Sequence, residues 1–332
     1  MRESTFIKRN LPRWKQYQQE PSDDPDVMAE RFTSLLDDLA YAKTFYSFSK
    51  VTRYINGMAA AIYQHIYRNR RADAGRVRNF VKYELPLVIR KYHRILLYTF
   101  LYFLLFVIAG AFSAGHDETF IRGVLSDEYV NMTEQNISNG DPFGIYKNEN
   151  EWIMFVKIAY NNVSVALQCF LGGIVFAVGS LWILFHNGIM LGSFEYFFFA
   201  RGLGWQSVLV VGIHGVLEIS AIVIAGAAGM IMGSGLLFPG TRKRLDALKK
   251  TARDGVKVIS SIIPVIVIAA FLEGFVTRHT AMPLWLSILI LLVSLSFIIG
   301  YFIVYPVYVQ RKGYRLSDTG ALIKPEKATP AI

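Results

Sequence analysis

The segment from Val211 to Gly229 is the sequence feature that most restricts how this chain can fold. It is apolar enough to lie inside a lipid bilayer, yet it contains His214 and Glu218. These two residues are four positions apart, so on a helix they share one face. A carboxylate at bilayer depth is costly unless it is protonated, paired or in contact with water. The segment therefore predicts a membrane helix that carries a polar site.

A second carboxylate lies in another apolar segment, where Glu273 follows the run at 262–272. Six formal charges remain when the first 94 residues, the loops at 114–151 and 240–257, and the tail from Arg311 are set aside. They are Lys157, Glu195, Arg201, Glu218, Glu273 and Arg278. Lys157 and Arg278 fall at predicted membrane edges, where cations reach water, and Glu195 and Arg201 lie close enough to pair. Glu218 and Glu273 are therefore the two deep charges.

Small residues fill much of the segment around Glu218, which favours close helix packing over contact with lipid. The predicted packing glycines are Gly215, Gly226 and Gly274. Asn161 and Asn187 lie in neighbouring apolar segments. These two amides are expected to share an intramembrane polar site with His214, Glu218 and Glu273.

Composition and charge predict a membrane protein rather than a nucleic-acid-binding one. The chain has 332 residues, 53% of them hydrophobic, and a net charge of +10; its mean hydropathy is +0.34. The charges are segregated, because 51–94 and 240–257 are basic whereas 114–151 is acidic. Basic segments stay cytoplasmic, which predicts an inner-membrane protein with both termini in the cytoplasm. The single cysteine, Cys169, excludes a disulfide framework and a thiolate metal site.

The predicted fold is an all-α, polytopic membrane helix bundle with an N-terminal cytoplasmic helical segment. The predicted parts are a helical segment at 1–75, an amphipathic interfacial elbow helix at 76–94, a transmembrane domain at 95–306 and a cytoplasmic tail at 307–332, expected to be disordered from Leu316. Within the transmembrane domain, 114–151 is predicted to be an external acidic loop and 240–257 a cytoplasmic basic loop. The elbow is expected to bind lipid headgroups through Arg76, Arg78, Lys82, Arg90 and Lys91. The alternative is that its apolar side packs on the helices before it.

About six spans are expected. The predicted spans are Ile95–Ser113, Asn161–Phe185, a short Gly188–Arg201, Trp205–Phe238, Val256–Phe275 and Leu284–Tyr305. The fourth would be about 50 Å long against a hydrocarbon core of about 30 Å, so it must be broken or strongly tilted. One or two helices are therefore expected to be discontinuous. Five spans with a pair of half-helices at 188–215 remain the alternative.

Three interpretations of the polar site stay open. The glutamates lock helix packing through bonded partners, they carry protons or bind a substrate in a cavity between helices, or they form a hydrolytic metal site with His214. No HExxH motif, phosphate-binding loop or GxSxG elbow is present. Enzymatic activity and a cofactor are therefore not expected, and metal binding is left open.

The segment HGVLEISAIVIAGAAG (214–229) resembles the stage II sporulation protein M family of bacterial and archaeal membrane proteins. The likeness continues through 160–180, 186–194, 236–250 and IPVIVIAAFLEGFVTRH (263–279), and more loosely through 1–160. The resemblance implies that the signature positions of the family are, in this chain, His214, Gly215, Glu218, Glu273 and Gly274. It also implies a scaffold for peptidoglycan-degrading partners in endospore formers. Relatives elsewhere are encoded beside a MoxR-type ATPase and an RDD membrane protein, which implies an envelope assembly. The 94-residue extension here departs from the short sporulation protein.

The leading functional expectation is thus a non-enzymatic scaffold of the cell envelope. Its expected partners are the bilayer and other membrane or envelope proteins, including a second copy of the chain. The alternatives are a transporter or permease-like subunit that uses Glu218 and Glu273, and an intramembrane metal-dependent hydrolase. A water-accessible cavity that reaches Glu218 would favour transport, whereas a dry, fully bonded cluster would favour the scaffold.

Overall fold

The structure is a computed structural model that describes residues 1–20, 22, 24–68, 75–144, 150–278, 282–317 and 320–325. The chain divides into two compact units, Met1–Arg78 and Asn79–Ile332. This boundary lies inside the predicted elbow helix at 76–94. The described residues are almost entirely helical, with one two-stranded sheet. The all-α fold class is confirmed.

The first unit is built from three amphipathic helices, α1 (Glu3–Gln19), α2 (Pro25–Phe45) and α3 (Lys50–Arg68). Its core contains the fully buried Trp14, Leu35 and Ile55. The Trp14 indole donates to Asp38 Oδ2 at 2.8 Å, so this large side chain is buried with its polar atom satisfied. The unit therefore has a hydrophobic core of its own.

The boundary between the units falls within α4 (Arg76–Asn79), and the second unit continues with a π-helical turn at Phe80–Glu84 and α5 (Leu85–Lys91). Its remaining helices are α6 (His93–His116), α7 (Glu118–Leu125), α8 (Asp127–Ser138), α9 (Glu151–Leu171), α10 (Val178–Ala200), α11 (Gly204–Leu237), α12 (Arg244–Phe271), α13 (Leu284–Ile299) and α14 (Tyr305–Arg311). Further π-helical turns occur at Leu272–Thr277 and Gly300–Val304. The strands β1 (Arg315–Leu316) and β2 (Leu322–Ile323) close the described chain.

Within the described ranges, five helical stretches are long and apolar enough to cross a membrane, judged by length and composition. They are His93–His116, Glu151–Ile174, Gly204–Leu237, Arg244–Thr277 and Leu284–Arg311. A sixth apolar helix, α10, has 23 residues, but His186, Asn187 and Glu195 interrupt its apolar sequence. The structure thus contains a bundle of membrane-capable helices.

The predicted span Asn161–Phe185 is wrong, because the chain reverses direction in the middle of it. α9 ends at Leu171, a 3₁₀ turn follows at Gly172–Ile174, and α10 begins at Val178. A Cβ on Gly172 would lie 2.6 Å from the backbone of Gly179, so only glycine allows the two arms to approach this closely. The predicted short helix at Gly188–Arg201 is likewise wrong, since it is the second half of α10.

Of the two alternatives predicted for Trp205–Phe238, the break is wrong, and a strong tilt stays a prediction. α11 continues without interruption for 34 residues, Gly204–Leu237. It packs against α6, α9, α10, α12 and α13, and its small residues allow this close approach. For example, a Cβ on Gly229 would lie 2.6 Å from the Cys169 carbonyl oxygen. α11 is therefore the central helix of the unit.

The acidic segment predicted as a loop contains helices, and the short basic helix predicted within 240–257 is part of a longer one. The basic segment at 240–257 includes the first turns of α12, and the acidic segment at 114–151 contains α7 and α8. Arg201 pairs with Glu134 of α8 at 2.6 Å rather than with Glu195. The tail from Leu316 was expected to be disordered, yet among its described residues Leu316 pairs with Leu322, and Ile323 pairs with Arg315, in an antiparallel sheet. Residues 318–319 and 326–332 of this tail lie outside the described part of the chain.

The elbow helix is anchored by protein contacts. Leu85–Ile89 are all buried, the Tyr301 hydroxyl donates to the Val81 carbonyl at 2.7 Å, and Lys257 pairs with Glu84 at 3.1 Å. The π-helical turn and α5 therefore pack against α12 and the last membrane-capable helix. The predicted alternative, in which the elbow packs on the helices before it, stays a prediction.

Candidate functional site

A cavity of about 730 Å³ lies between the apolar helices of the second unit. Its wall combines apolar side chains such as Phe103 and Ile266 with a few polar ones. The polar residues in the wall are Tyr129, Lys157, Asn161, Asn162, Asn187, Glu218 and Glu273. An apolar pocket with few convergent polar groups is the usual form of a small-ligand site.

The three predicted intramembrane residues His214, Glu218 and Glu273 converge beside this cavity. Each residue offers one atom that could bind a metal ion, a ring nitrogen of His214 or a carboxylate oxygen of each glutamate, and these three atoms lie within 4.8 Å of one another. His214 Nε2 lies 3.9 Å from Glu273 Oε1. The His214 side chain is only 4% exposed and that of Glu273 16%, and both glutamates reach the cavity wall. The cluster therefore joins a buried imidazole to two carboxylates that face open space.

The local backbone at Glu273 is irregular, and this irregularity forms one side of the cluster. α12 ends at Phe271 and continues as a π-helical turn at Leu272–Thr277. A π turn inserts an extra residue into a helix, changes the direction of the following side chains, and occurs frequently at functional sites. Here it carries both Glu273 and Thr277, and both face α11.

Thr277 fixes the orientation of the histidine ring. Its hydroxyl donates to the Leu272 carbonyl oxygen at 3.2 Å, and His214 Nδ1 lies 3.0 Å from the same hydroxyl oxygen. A hydroxyl has one proton to donate, so when Thr277 donates to Leu272 its oxygen accepts from His214 Nδ1. In that tautomer the lone pair is on Nε2, the nitrogen that lies 3.9 Å from Glu273 Oε1.

The three predicted packing glycines serve two different local roles. A Cβ on Gly226 would lie 2.5 Å from Leu184 Cδ1, and one on Gly274 would lie 3.3 Å from the Phe155 backbone. Both are therefore close helix contacts. Gly215, in contrast, lines the cavity, and its nearest neighbour would be Val211 Cγ1 at 3.3 Å. Its missing side chain leaves space one residue after His214.

The two predicted amides lie in the cavity wall at different positions. Asn187 donates to the Ile183 carbonyl at 2.8 Å within α10, and Asn161 Nδ2 lies 3.4 Å from Asn162 Oδ1 in α9. Neither bond reaches the cluster. The amides therefore add polarity to the cavity wall from two helices, α9 and α10.

Sequence reasoning missed Thr277 and Tyr129. Thr277 is four residues after Glu273, a helical spacing that was a usable signal. Tyr129 belongs to α8, inside the segment that was predicted to be a loop, so no pattern placed it near a membrane site. Burial raises the pKa of Tyr129 to about 12, so its phenol stays protonated at neutral pH.

The predicted lipid-headgroup residues differ in their surroundings. Arg76, Arg78 and Lys82 are exposed. Arg90 Nε donates to Gln310 Oε1 at 2.6 Å, and Lys91 pairs with Asp254 at 2.7 Å. Arg90 and Lys91 thus make protein contacts, although Lys91 is also exposed, whereas no such contact holds Arg76 or Arg78 among the described residues.

Comparison with known families gives two matches. A family described as Stage II sporulation protein M matches residues 99–278, which include the whole His214, Glu218 and Glu273 cluster. A second family, described as a domain of unknown function (DUF8413), matches residues 4–68 in the first unit. No curated protein and no solved structure matches the chain. Because the first match covers more than half of the 332 residues, the chain belongs to the stage II sporulation protein M family of membrane proteins.

Proposed function

We propose that this membrane protein is permease-like and binds a small charged ligand at Glu218 and Glu273. The observation that carries the proposal is the cavity of about 730 Å³ that reaches both carboxylates between membrane-capable helices. Ionisable residues in membrane segments face such cavities and mark ion or substrate pathways. The proposal involves no bond making or breaking, so it assigns no enzymatic activity.

The irregular backbone beside the cavity supports this proposal. In a membrane, backbone that departs from a regular helix is tolerated where it is buried in protein or lines a water-filled cavity. Transporters place their binding sites at such interruptions, near the middle of the bilayer. The π-helical turn at Leu272–Thr277 is of this kind and carries Glu273.

The charge of the pair also favours a site that exchanges ligands. Two carboxylates with oxygen atoms less than 4.8 Å apart repel each other strongly when both are ionised in a medium of low dielectric constant. Protons neutralise them in one state and a cationic ligand neutralises them in another. A permanent structural lock needs no such open access to the cavity.

Cysteine labelling tests whether the cavity is open to water. In a Cys169→Ala background, which removes the only cysteine, Asn187→Cys should react with a membrane-impermeant maleimide from one side of sealed vesicles. Ile108→Cys is the control, because Ile108 is 59% exposed on the outer face of α6 and should contact lipid. Adding Gly215→Leu should fill the cavity and slow the Asn187→Cys reaction. Equal, negligible reaction of both cysteines from both sides would contradict the proposal.

A scaffold role is the second candidate, supported by the first unit. Met1–Arg78 has its own hydrophobic core and its own family match, which is the organisation expected of a partner-binding module. Cross-linking in native membranes should then join envelope proteins to residues 1–68. A chain that lacks residues 1–78 should lose these cross-links and keep the labelling of Asn187→Cys. Partner cross-links that persist after the deletion would count against this role.

A further inference from the structure

We propose that His214, Glu218 and Glu273 bind a divalent transition-metal ion of the zinc class in the inner wall of the cavity. The proposal deepens the proposed function by naming the chemical class of the ligand. It concerns equilibrium binding, so it does not depend on movement of the ion across the membrane.

The geometry of the three side chains is close to that of a metal site. Three atoms that lie within 4.8 Å of one another share a centre that is at most about 2.8 Å from each. Zinc bonds to histidine nitrogen and carboxylate oxygen are about 2.0–2.2 Å long. Each ligand atom therefore needs to move by less than about 1 Å, which small side-chain rotations provide.

The ligand types select the class of ion. Imidazole suits zinc and the neighbouring transition metals, whereas Mg²⁺ and Ca²⁺ take oxygen ligands in larger numbers. One histidine and two carboxylates supply three ligands and leave a fourth position open. Because Glu218 and Glu273 line the cavity, the open position faces it.

The histidine is already oriented as metal-binding histidines are. Such residues commonly hold one ring nitrogen in a hydrogen bond to a neighbouring group, which fixes the tautomer and the ring plane. Here Nδ1 lies 3.0 Å from Thr277 Oγ1, and Nε2 is the nitrogen on the side of Glu273. Thr277 is thus a positioning residue for the proposed site.

The charge of the cluster suits a divalent cation. With neutral His214, one divalent ion balances the two carboxylates. Binding therefore leaves the cluster without net charge in the apolar interior.

Metal analysis of the full-length chain, purified in detergent and dialysed against zinc, tests the proposal. The wild-type protein should hold one zinc per chain by mass spectrometry, and Co²⁺ in its place should show visible absorption bands of a low-symmetry site. Glu218→Gln and Glu273→Gln should weaken zinc binding by roughly 10- to 150-fold, as expected when a charged partner is lost. Thr277→Val should weaken it by about 10- to 100-fold while saturation still reaches one zinc.

Glu195→Gln is the matched control, because Glu195 lies in α10 and is absent from the cluster. It should bind zinc as the wild type does. The proposal would be overturned by a wild-type chain without saturable zinc, or by equal loss in Glu195→Gln and Glu218→Gln. If a glutamine variant does not elute from size-exclusion chromatography as a single species, the comparison of zinc binding by Thr277→Val and by the wild type tests the proposal instead. If the protein binds zinc but Asn187→Cys is not labelled, the metal site is retained and the permease function is rejected. If Asn187→Cys is labelled but the protein does not bind zinc, the permease function is retained and the metal site is rejected.

Discussion

Replacing Glu218 with glutamine is expected to abolish zinc-driven proton movement in liposomes that contain the purified protein. When zinc binds the two carboxylates it displaces their protons, since a ligand carboxylate must be ionised. A glutamine keeps the size and hydrogen bonding of the side chain but cannot exchange a proton for a cation. The expected loss of flux is about tenfold or more, because the lost charged contact contributes about 1.5–3 kcal/mol.

The measurement uses a pH-sensitive dye trapped in the liposomes and zinc added outside. Wild-type protein should make the interior more alkaline as zinc enters and protons leave, and Glu195→Gln should behave in the same way. A Glu218→Gln protein that moves protons at the wild-type rate would show that the cluster is outside the pathway. Zinc bound stoichiometrically without any proton movement would leave the metal site in place and reject transport.

Part of the polar cluster could be predicted from the sequence because it depends on local spacing. His214 and Glu218 are four residues apart in an apolar segment, and the structure places both on the same side of α11, with ligand atoms less than 4.8 Å apart. Helical periodicity alone determines this pair. The sequence also identified Glu273 as a deep charge, because no other acidic residue lies in that apolar segment.

The meeting of Glu273 with the other two residues could not be predicted. It depends on the packing of α12 against α11 and on the π-helical turn at Leu272–Thr277, which changes the direction of the side chain. A π turn has no strong sequence signature, since its residues would also fit an ordinary helix. The same limit applies to Thr277, whose role depends on the rotated backbone.

The span boundaries were missed for a related reason. Hydropathy gives the length of an apolar run and contains little information on where the chain reverses inside it. The segment at 161–185 is largely apolar. The chain reverses direction within it, at 172–177, because Gly172 and Gly179 approach closely and because Phe176 and Ala177 have left-handed backbone. α11 shows the opposite case, because protein packing along its length stabilises a helix longer than a simple span.

Replacing Gly192 with alanine is expected to cause a large loss of stability. A Cβ at this position would lie 2.0 Å from the Val107 carbonyl oxygen and 2.8 Å from the Ala111 nitrogen. Both atoms are backbone, so rotation of a side chain cannot relieve the overlap, and α6 and α10 must separate. Overpacking of this kind costs about 1–3 kcal/mol or more.

Thermal unfolding of the detergent-purified protein measures this effect, and Gly300→Ala is the matched control. Gly300 lies in the last membrane-capable helix, and a Cβ there would meet nothing within 4 Å. The midpoint should fall by roughly 5–10 °C in Gly192→Ala and change little in Gly300→Ala. If both variants melt like the wild type, α6 and α10 do not pack at the distance described, and the cavity wall formed by α10 would be displaced. Because Asn187 lies five residues before Gly192 on α10, Gly192→Ala should also alter the rate at which Asn187→Cys is labelled.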